Sequence, residues 1–236
     1  MPVHSSWGFW RDRMLLALDT ATDLASIALY DGWRVVAEHS WHSARRHTVE
    51  LAPHVSALLA QAGVYPSQLL AVAVSLGPGS FTGLRVALSL AKGLTLATGA
   101  ALIGVPTLDV VAYPHQWQPR PVCAVVQAGR GRLCWALYRH TANGWETVTG
   151  YRLSPVDAVA AAADEPTLFS GELLAQNADR LSHLLGERFL LAPPAMRLRR
   201  AGMLAEIAWA RWQAGKIDDP ATLSPIYLHE PSGESA

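Results

Sequence analysis

Charge is scarce in this chain, and neither sign prevails. Of 236 residues 16% are charged, with 19 basic against 19 acidic side chains and a formal net charge of zero. A protein that holds nucleic acid by itself usually carries a basic excess. None is visible overall, and the small knot of Arg197, Arg199 and Arg200 reads equally well as the solvated start of a helix. Cysteine is nearly absent. Cys123 and Cys134 both sit inside apolar, strand-like runs, so two buried reduced thiols are expected rather than a disulfide. No basic segment followed by an apolar one opens the chain, so no secretory signal is expected. The most apolar stretch, 86–106, is interrupted by Lys92 and three glycines and is not expected to cross a membrane. The reading is a cytoplasmic protein. Residues 1–13, MPVHSSWGFWRDR, are expected to form a disordered extension. The alternative is an arm anchored by Trp7, Phe9 and Trp10.

Half of the chain is hydrophobic, enough for one large domain or two small ones. Its organisation is a duplication. LDTATDLASIALYDGWRVV (18–36) resembles VQAGRGRLCWALYRHTANGWETV (126–148). ALY recurs at 28–30 and 136–138, GW at 32–33 and 144–145, and counting back from ALY makes Asp19 and Gln127 equivalent. In the first half, patterning predicts strands at 14–19, 25–30 and 33–40, a helix at 48–62, a strand at 70–76, a helix at 83–98, a strand at 101–105 and a helix from 107. In the second half it predicts strands at 121–127, 132–139 and 145–152, then a helix at 155–163 and a strand at 167–170. A helix at 173–185, a strand at 188–191 and a helix at 200–214 follow. Each half is therefore βββαβαβα, a mixed sheet with helices on its faces. Two such halves make an α/β fold of the two-lobed actin, hexokinase and Hsp70 type, related to the ribonuclease-H-like fold. The expected lobes are 14–112 and 113–236, the second with a C-terminal tail.

The chemistry of that fold is incomplete here. A phosphate-contacting hairpin needs a glycine for close backbone approach and a carboxylate at the strand end for the metal. The first half has Asp19 and Thr20 but Ala21 in place of glycine, and the second has Gln127 in place of the carboxylate. This is a vestigial phosphate region. A two-metal nuclease would need clustered carboxylates. Asp19 and Glu50 offer two, and the strand ending at Ser75-Leu76 offers none. His47 and His54, seven apart, fall on different sides of a helix and are expected on its surface, and no H-x-x-x-H or C-x-x-C spacing occurs. Ser80 and Thr82 suit helix entry better than nucleophilic catalysis. No catalytic residue and no metal site is expected.

Five segments occur in a telling order: LALDTAT, RRHTVELAP, SLGPGSFTGLRVALSLAKGL, IGVPTLDVVA and a C-terminal PIYL. Together they resemble the TsaB (YeaZ) family, densely over 14–112 and sparsely beyond. The resemblance implies a non-catalytic dimerisation subunit of the bacterial machinery that places threonylcarbamoyl on N6 of a tRNA adenosine. It implies a TsaD-like transferase partner, a TsaE-like ATPase and only indirect contact with tRNA. It implies no independently bound cofactor, with ATP or ADP confined to the interface of the complex. TsaD-like chains carry H-x-x-x-H after the strand at 101–105, where this chain has VPTLDVVA. Two positions depart from the family pattern: Gln127-Ala128-Gly129 stands for Asp-Ala-Arg, and Tyr227-Leu228-His229 for Tyr-Leu-Arg.

The segment GPGSFTG lacks the Gly-Lys-Ser/Thr ending of a nucleotide-binding loop. Its expected role is to turn a buried strand into helix 83–98. Leu90, Leu94, Ala87 and Ala91 are read as that helix's sheet side, with Arg85, Leu88, Ser89, Lys92 and Leu96 outside. On helix 48–62, Leu51, Val55, Leu58, Leu59 and Ala62 are read as the core face. Val49, Pro53, Ser56, Ala57 and Ala60 form a face of small residues that lets another helix approach. By the family resemblance these ten outer residues bind the partner, or a second copy when the chain is alone.

Overall fold

A computed structural model of the protein describes residues 14–228. The segment 1–13 and His229 lie outside the described residues. The first sheet holds β1 (Met14–Asp19), β2 (Leu24–Tyr30), β3 (Val35–His42), β4 (Leu69–Ser75) and β5 (Ala101–Val105), in the order β3-β2-β1-β4-β5. β1–β2 and β2–β3 are antiparallel, while β1–β4 and β4–β5 are parallel. Its helices are α1 (His47–Ala62) and α2 (Phe81–Thr98). β1 reads MLLALD without polar alternation because it lies mid-sheet and is buried at every position.

The second sheet repeats this plan. β6 (Val122–Gln127) pairs antiparallel with β7 (Arg132–Thr141) and parallel with β10 (Thr167–Gly171), which pairs parallel with β11 (Phe189–Leu191). The expected third strand, 145–152, is instead two pieces, β8 (Gly144–Thr147) and β9 (Arg152–Pro155), both on β7. Between them the Leu137 amide donates to the Thr149 hydroxyl at 3.0 Å, so a side chain replaces a ladder carbonyl and Gly150 turns at φ 66. Three helices complete the order: α3 (Thr107–Ala112), α4 (Val156–Ala162) and α5 (Ala175–Leu185). Side chains of β6 alternate. Cys123 and Val125 meet α4 and α5, while Val122, Ala124 and Val126 meet α3. Cys123 and Cys134 are free and buried in different cores of this unit, and burial pushes the Cys134 thiol up to about 11.

The final helix, α6 (Ala201–Gln213), packs on the first sheet. Among the described residues the compact units are 14–106 with 200–225, and 107–199 with 226–228. This corrects a division at residue 112. α3, which ends the first repeat, belongs to the second unit, and α6, which ends the second repeat, belongs to the first. α3 is buried at all but one of its positions and α6 is mostly apolar along its length, so the sequence pattern does not mark the exchange.

Side chains of the first sheet receive the start of α6. A helix leaves its first N–H groups without internal partners. Here the Ala201 amide donates to the Ser26 hydroxyl at 3.0 Å and the Gly202 amide to Glu38 Oε1 at 2.8 Å. Arg200 Nε donates to the other oxygen, Oε2, at 2.9 Å. Farther on, the open edge of β5 is covered. The Gly104 amide donates to Asp218 Oδ2 at 2.7 Å, the Asp218 amide to the Leu102 carbonyl at 2.8 Å, and Arg211 to the Gly104 carbonyl. Glu38→Ala is therefore expected to cost about 1.5–3 kcal/mol, the usual worth of hydrogen bonds to a charged group. Urea unfolding measures it, and Glu38→Gln, which keeps an acceptor, is expected to lose less.

Candidate functional site

The glycine loop is built around a contact between two backbones. After β4 the chain runs through Gly77-Pro78-Gly79-Ser80 into α2. The Ser80 amide donates to the Ala21 carbonyl at 2.6 Å, and the Thr20 hydroxyl donates to the Gly83 carbonyl at 2.7 Å. A Cβ on Gly79 would overlap the Ala21 carbonyl, and one on Gly83 the Thr20 carbonyl. These glycines admit the turn between β1 and β2, a protein backbone, at close range. Ser80 is the N-cap of α2, accepting from the Gly83 amide at 3.3 Å.

The vestigial residues are tied into the protein. Asp19 and Thr20 are fully buried, and Asp19 Oδ1 accepts from the Ala21 amide at 2.9 Å. Gln127 uses both ends of its amide. Its oxygen accepts from Asn177 Nδ2 at 2.9 Å, while its nitrogen donates to the Ala128 and Arg132 carbonyls at 3.0 and 3.2 Å. Only an amide supplies an acceptor and two donations at once. Glu50 accepts from Trp41 Nε1 at 3.0 Å and the Ser43 hydroxyl at 2.8 Å, and those bonds hold its carboxyl below the usual range. Among the described residues no three His, Cys, Asp or Glu side chains gather as metal ligands.

His47 is not a surface residue. It is 3% exposed, and no partner lies within hydrogen-bonding reach of its Nδ1. His115, in the second unit, is also buried and lies 2.8 Å from the Ser170 hydroxyl. Burial lowers the pKa of both, the Asp23 charge partly opposing it at His47.

α1 and α2 present a shared outer face. On α1, His47, Leu51, Val55, Leu58 and Leu59 are buried, and Val49, Pro53, Ser56, Ala57 and Ala60 are exposed. On α2, Arg85, Ser89 and Leu96 are exposed and Lys92 is half-buried, but Leu88 is 6% exposed and belongs to the core. The buried stripe runs Leu84, Ala87, Leu88, Ala91 and Thr95, with Leu90 and Leu94 half-buried beside it. A helix apolar nearly all round has no unambiguous phase, and the sequence reading set this one too far toward Leu90. Between the two helices lies a groove of about 510 Å³, walled by Thr48, Leu51 and Ala52 on one side and by Phe81, Arg85 and Ser89 among others on the opposite side. The Arg85 guanidinium sits 3.7 Å over the Phe81 ring. Phe81, Ala52 and Thr48 escaped the sequence reading, although Phe81 and Arg85 stand four apart in one helix, the spacing at which side chains meet.

These features define an α/β protein of the duplicated actin-like class, with a glycine loop closed on the protein's own backbone and an open helix pair. A family model described as TsaD, tRNA N6-adenosine threonylcarbamoyltransferase, matches residues 37–206. The protein TsaB of tRNA threonylcarbamoyladenosine biosynthesis from Escherichia coli is 37% identical over 133 residues, 55% of this chain and 57% of that protein. This match thus spans little more than half of the relative's length. The Bacillus subtilis TsaB is 26% identical over 224 residues, 94% of this chain and 96% of that one. The solved structure of YeaZ from Pseudomonas aeruginosa superposes with a TM-score of 0.75 at 28% identity, covering 92% of this chain and all of that one. The chain belongs to this family, on its TsaB (YeaZ) branch.

Gly83→Ala is expected to destabilise the protein by about 1–3 kcal/mol, because a methyl must displace either Thr20 or the start of α2. Thermal unfolding checks it. The two histidines give a pH dependence of defined sign. Both are held neutral in the folded state, with pKa values below the ordinary 6.5, so unfolding takes up protons as pH falls through about 6.5. Their contribution to stability is complete above that pH and is lost below it. Urea midpoints between pH 7.5 and 5.5 should fall, and His47→Gln should flatten the slope.

Proposed function

We propose that this chain is a partner subunit in tRNA threonylcarbamoyladenosine biosynthesis, docking a TsaD-type transferase subunit through the outer face of α1 and α2. The observation that carries this reading is the exposed groove between those helices, lined by small and apolar groups with the ring of Phe81 at its mouth. Val49 at 62% and Leu96 at 80% exposure extend the face along both helices. Small side chains on one ridge let a second helix approach closely, and large apolar ones supply area to bury. The amide at Gln127 and the backbone contact at Ala21 favour a subunit that serves its partner's chemistry without turning over nucleotide itself. A TsaE-type ATPase joins the pair, ATP or ADP is confined to the interface of the complex, and tRNA is reached through the partner. In the absence of that partner, two copies of this chain pair through the same face.

Affinity for a co-purified TsaD-type subunit, measured by calorimetry, tests the reading. Ala52→Arg and Ala60→Arg put a long cation into the helix contact and are expected to cost about 3–5 kcal/mol of binding, roughly a hundredfold or more. Their melting temperatures should stay near that of the parent, since both positions are exposed. Leu88→Glu is instead expected to unfold the chain. Unchanged affinity in both arginine variants would sink the assignment of this face.

A further inference from the structure

One sequence motif has no place in the docking face. Residues 1–13 carry Trp7, Phe9 and Trp10, three aromatic side chains in 13, where the whole chain is 8% aromatic. Segments that stay in water are poor in aromatic residues, because each large ring gains most by burial. The motif precedes Met14, so the place where β1 begins sets what it can reach.

β1 begins beside a surface of tryptophans. Leu15 pairs with Tyr30, so Met14 stands next to the hairpin turn that follows β2. That turn is held by its own side chain. Asp31 Oδ1 accepts from the Trp33 and Arg34 amides, both at 2.9 Å, and Arg34 Nε donates to Oδ2 at 3.3 Å. Trp33 is thereby presented at 78% exposure. A single exposed ring is ordinary, but this one belongs to a group. Gly32, its neighbour, lies against the Trp209 ring of α6, where a Cβ would overlap it. Trp209 meets Tyr30 edge-on at 5.8 Å and 77°, and half-buried Trp212 at 5.0 Å. None of these residues lines the groove between α1 and α2.

Distance allows a contact between the two. Neighbouring strands run about 4.8 Å apart. Trp33 follows Tyr30 by three residues, about 10 Å of chain. At about 3.3–3.6 Å per residue, the four steps from Met14 back to Trp10 reach up to about 14 Å, and the seven back to Trp7 up to about 25 Å. We propose that residues 1–13 fold back on their own chain and seat Trp7 and Trp10 on the surface formed by Trp33, Trp209 and Trp212. The tether decides the occupant. A segment fixed a few residues from its seat meets it at an effective concentration of order mM, which a second copy in dilute solution does not match. The seated arm ties the start of β1 to α6, the last helix of the same unit, and adds to the apolar burial that holds that helix on the first sheet.

Cysteine cross-linking of the full chain tests the contact, because both native thiols are buried. Arg11→Cys with Arg34→Cys keeps every ring in place and is expected to form a disulfide within one chain when diamide is added as oxidant. Arg11→Cys with Ser56→Cys, whose second position is exposed on the outer face of α1, is expected to cross-link roughly tenfold more slowly. Urea unfolding gives a second measurement. With the arm unaltered, Trp33→Ala is expected to raise the unfolding constant about five- to thirtyfold. Once Trp7→Ala and Trp10→Ala are in place, the same substitution should change it by about twofold or less, as at an ordinary exposed position. Four results would overturn the contact. Cross-linked dimers in place of the internal disulfide would assign the surface to a second copy. Equal rates at the Arg34 and Ser56 positions would show an arm with no seat. Full additivity of Trp33→Ala with the arm variants would show no coupling. Calorimetry with the TsaD-type subunit should give parental affinity after deletion of residues 2–13, and a changed affinity would place the arm in the contact of α1 and α2 instead.

Discussion

Where the loop 77–83 crosses the turn 19–22, two backbones meet at Gly79 and Gly83, and the position of α2 follows from that contact. Ser80 bonds Ala21 through its amide, Thr20 bonds Gly83 through its hydroxyl, and the first turn of α2 begins between these two points. The helix cannot slide or lift without breaking them. The groove against α1 is therefore held from the sheet beneath, and α1 is seated against the same turn by buried His47, which hydrogen-bonds with the Thr22 backbone. Loops rich in glycine commonly bring backbone N–H groups to an anion. Here the same freedom is spent within the fold, and the amides of Ala21 and Ser80 already have acceptors.

The two repeats reach similar ends by different chemistry. In the first, the strand-end carboxylate of Asp19 folds back onto the amide two residues on. In the second, Gln127 locks its own hairpin and also receives Asn177 from α5. A carboxylate at that position would accept from Asn177 but remove the donor to the Ala128 carbonyl, while the Arg132 carbonyl would keep only the Ala128 amide at 3.0 Å. The departure from Asp at this position thus has a structural use, whatever else it does.

Much of the fold was legible because its periodicities are local. The buried run of β1, the ALY repeat and the GPGSFTG loop ahead of α2 each name an element from a few neighbouring residues. The phase of α2 was not legible. Its five leucines are spread around the helix, and only the packing shows that Leu88 lies inward while Leu96 is 80% exposed. The break between β8 and β9 depends on one threonine hydroxyl replacing a carbonyl, which no alternation reveals. The face of small residues on α1 was foreseen, but the groove depends on Phe81, which the pattern assigned to a turn. The rings of His39 and Trp41 on β3 pack against His54 of α1 with centroids 4.3 to 5.1 Å apart, and nothing in spacing alone announces that cluster.

The exchange of α3 and α6 between units bears on how the chain is made. Synthesis runs from the N-terminus, and β1 to β5 are complete by Val105. The face of that sheet destined for α6 stays uncovered while another hundred or so residues emerge from the ribosome. The second sheet has its own α3 in hand from the start, since Thr107–Ala112 precedes β6. The later unit can thus close first, and the earlier one waits for Glu38 and Ser26 to receive Gly202 and Ala201. A nascent chain halted before Ala201 would leave the ribosome with its second half folded and its first half open to whatever apolar surface it meets.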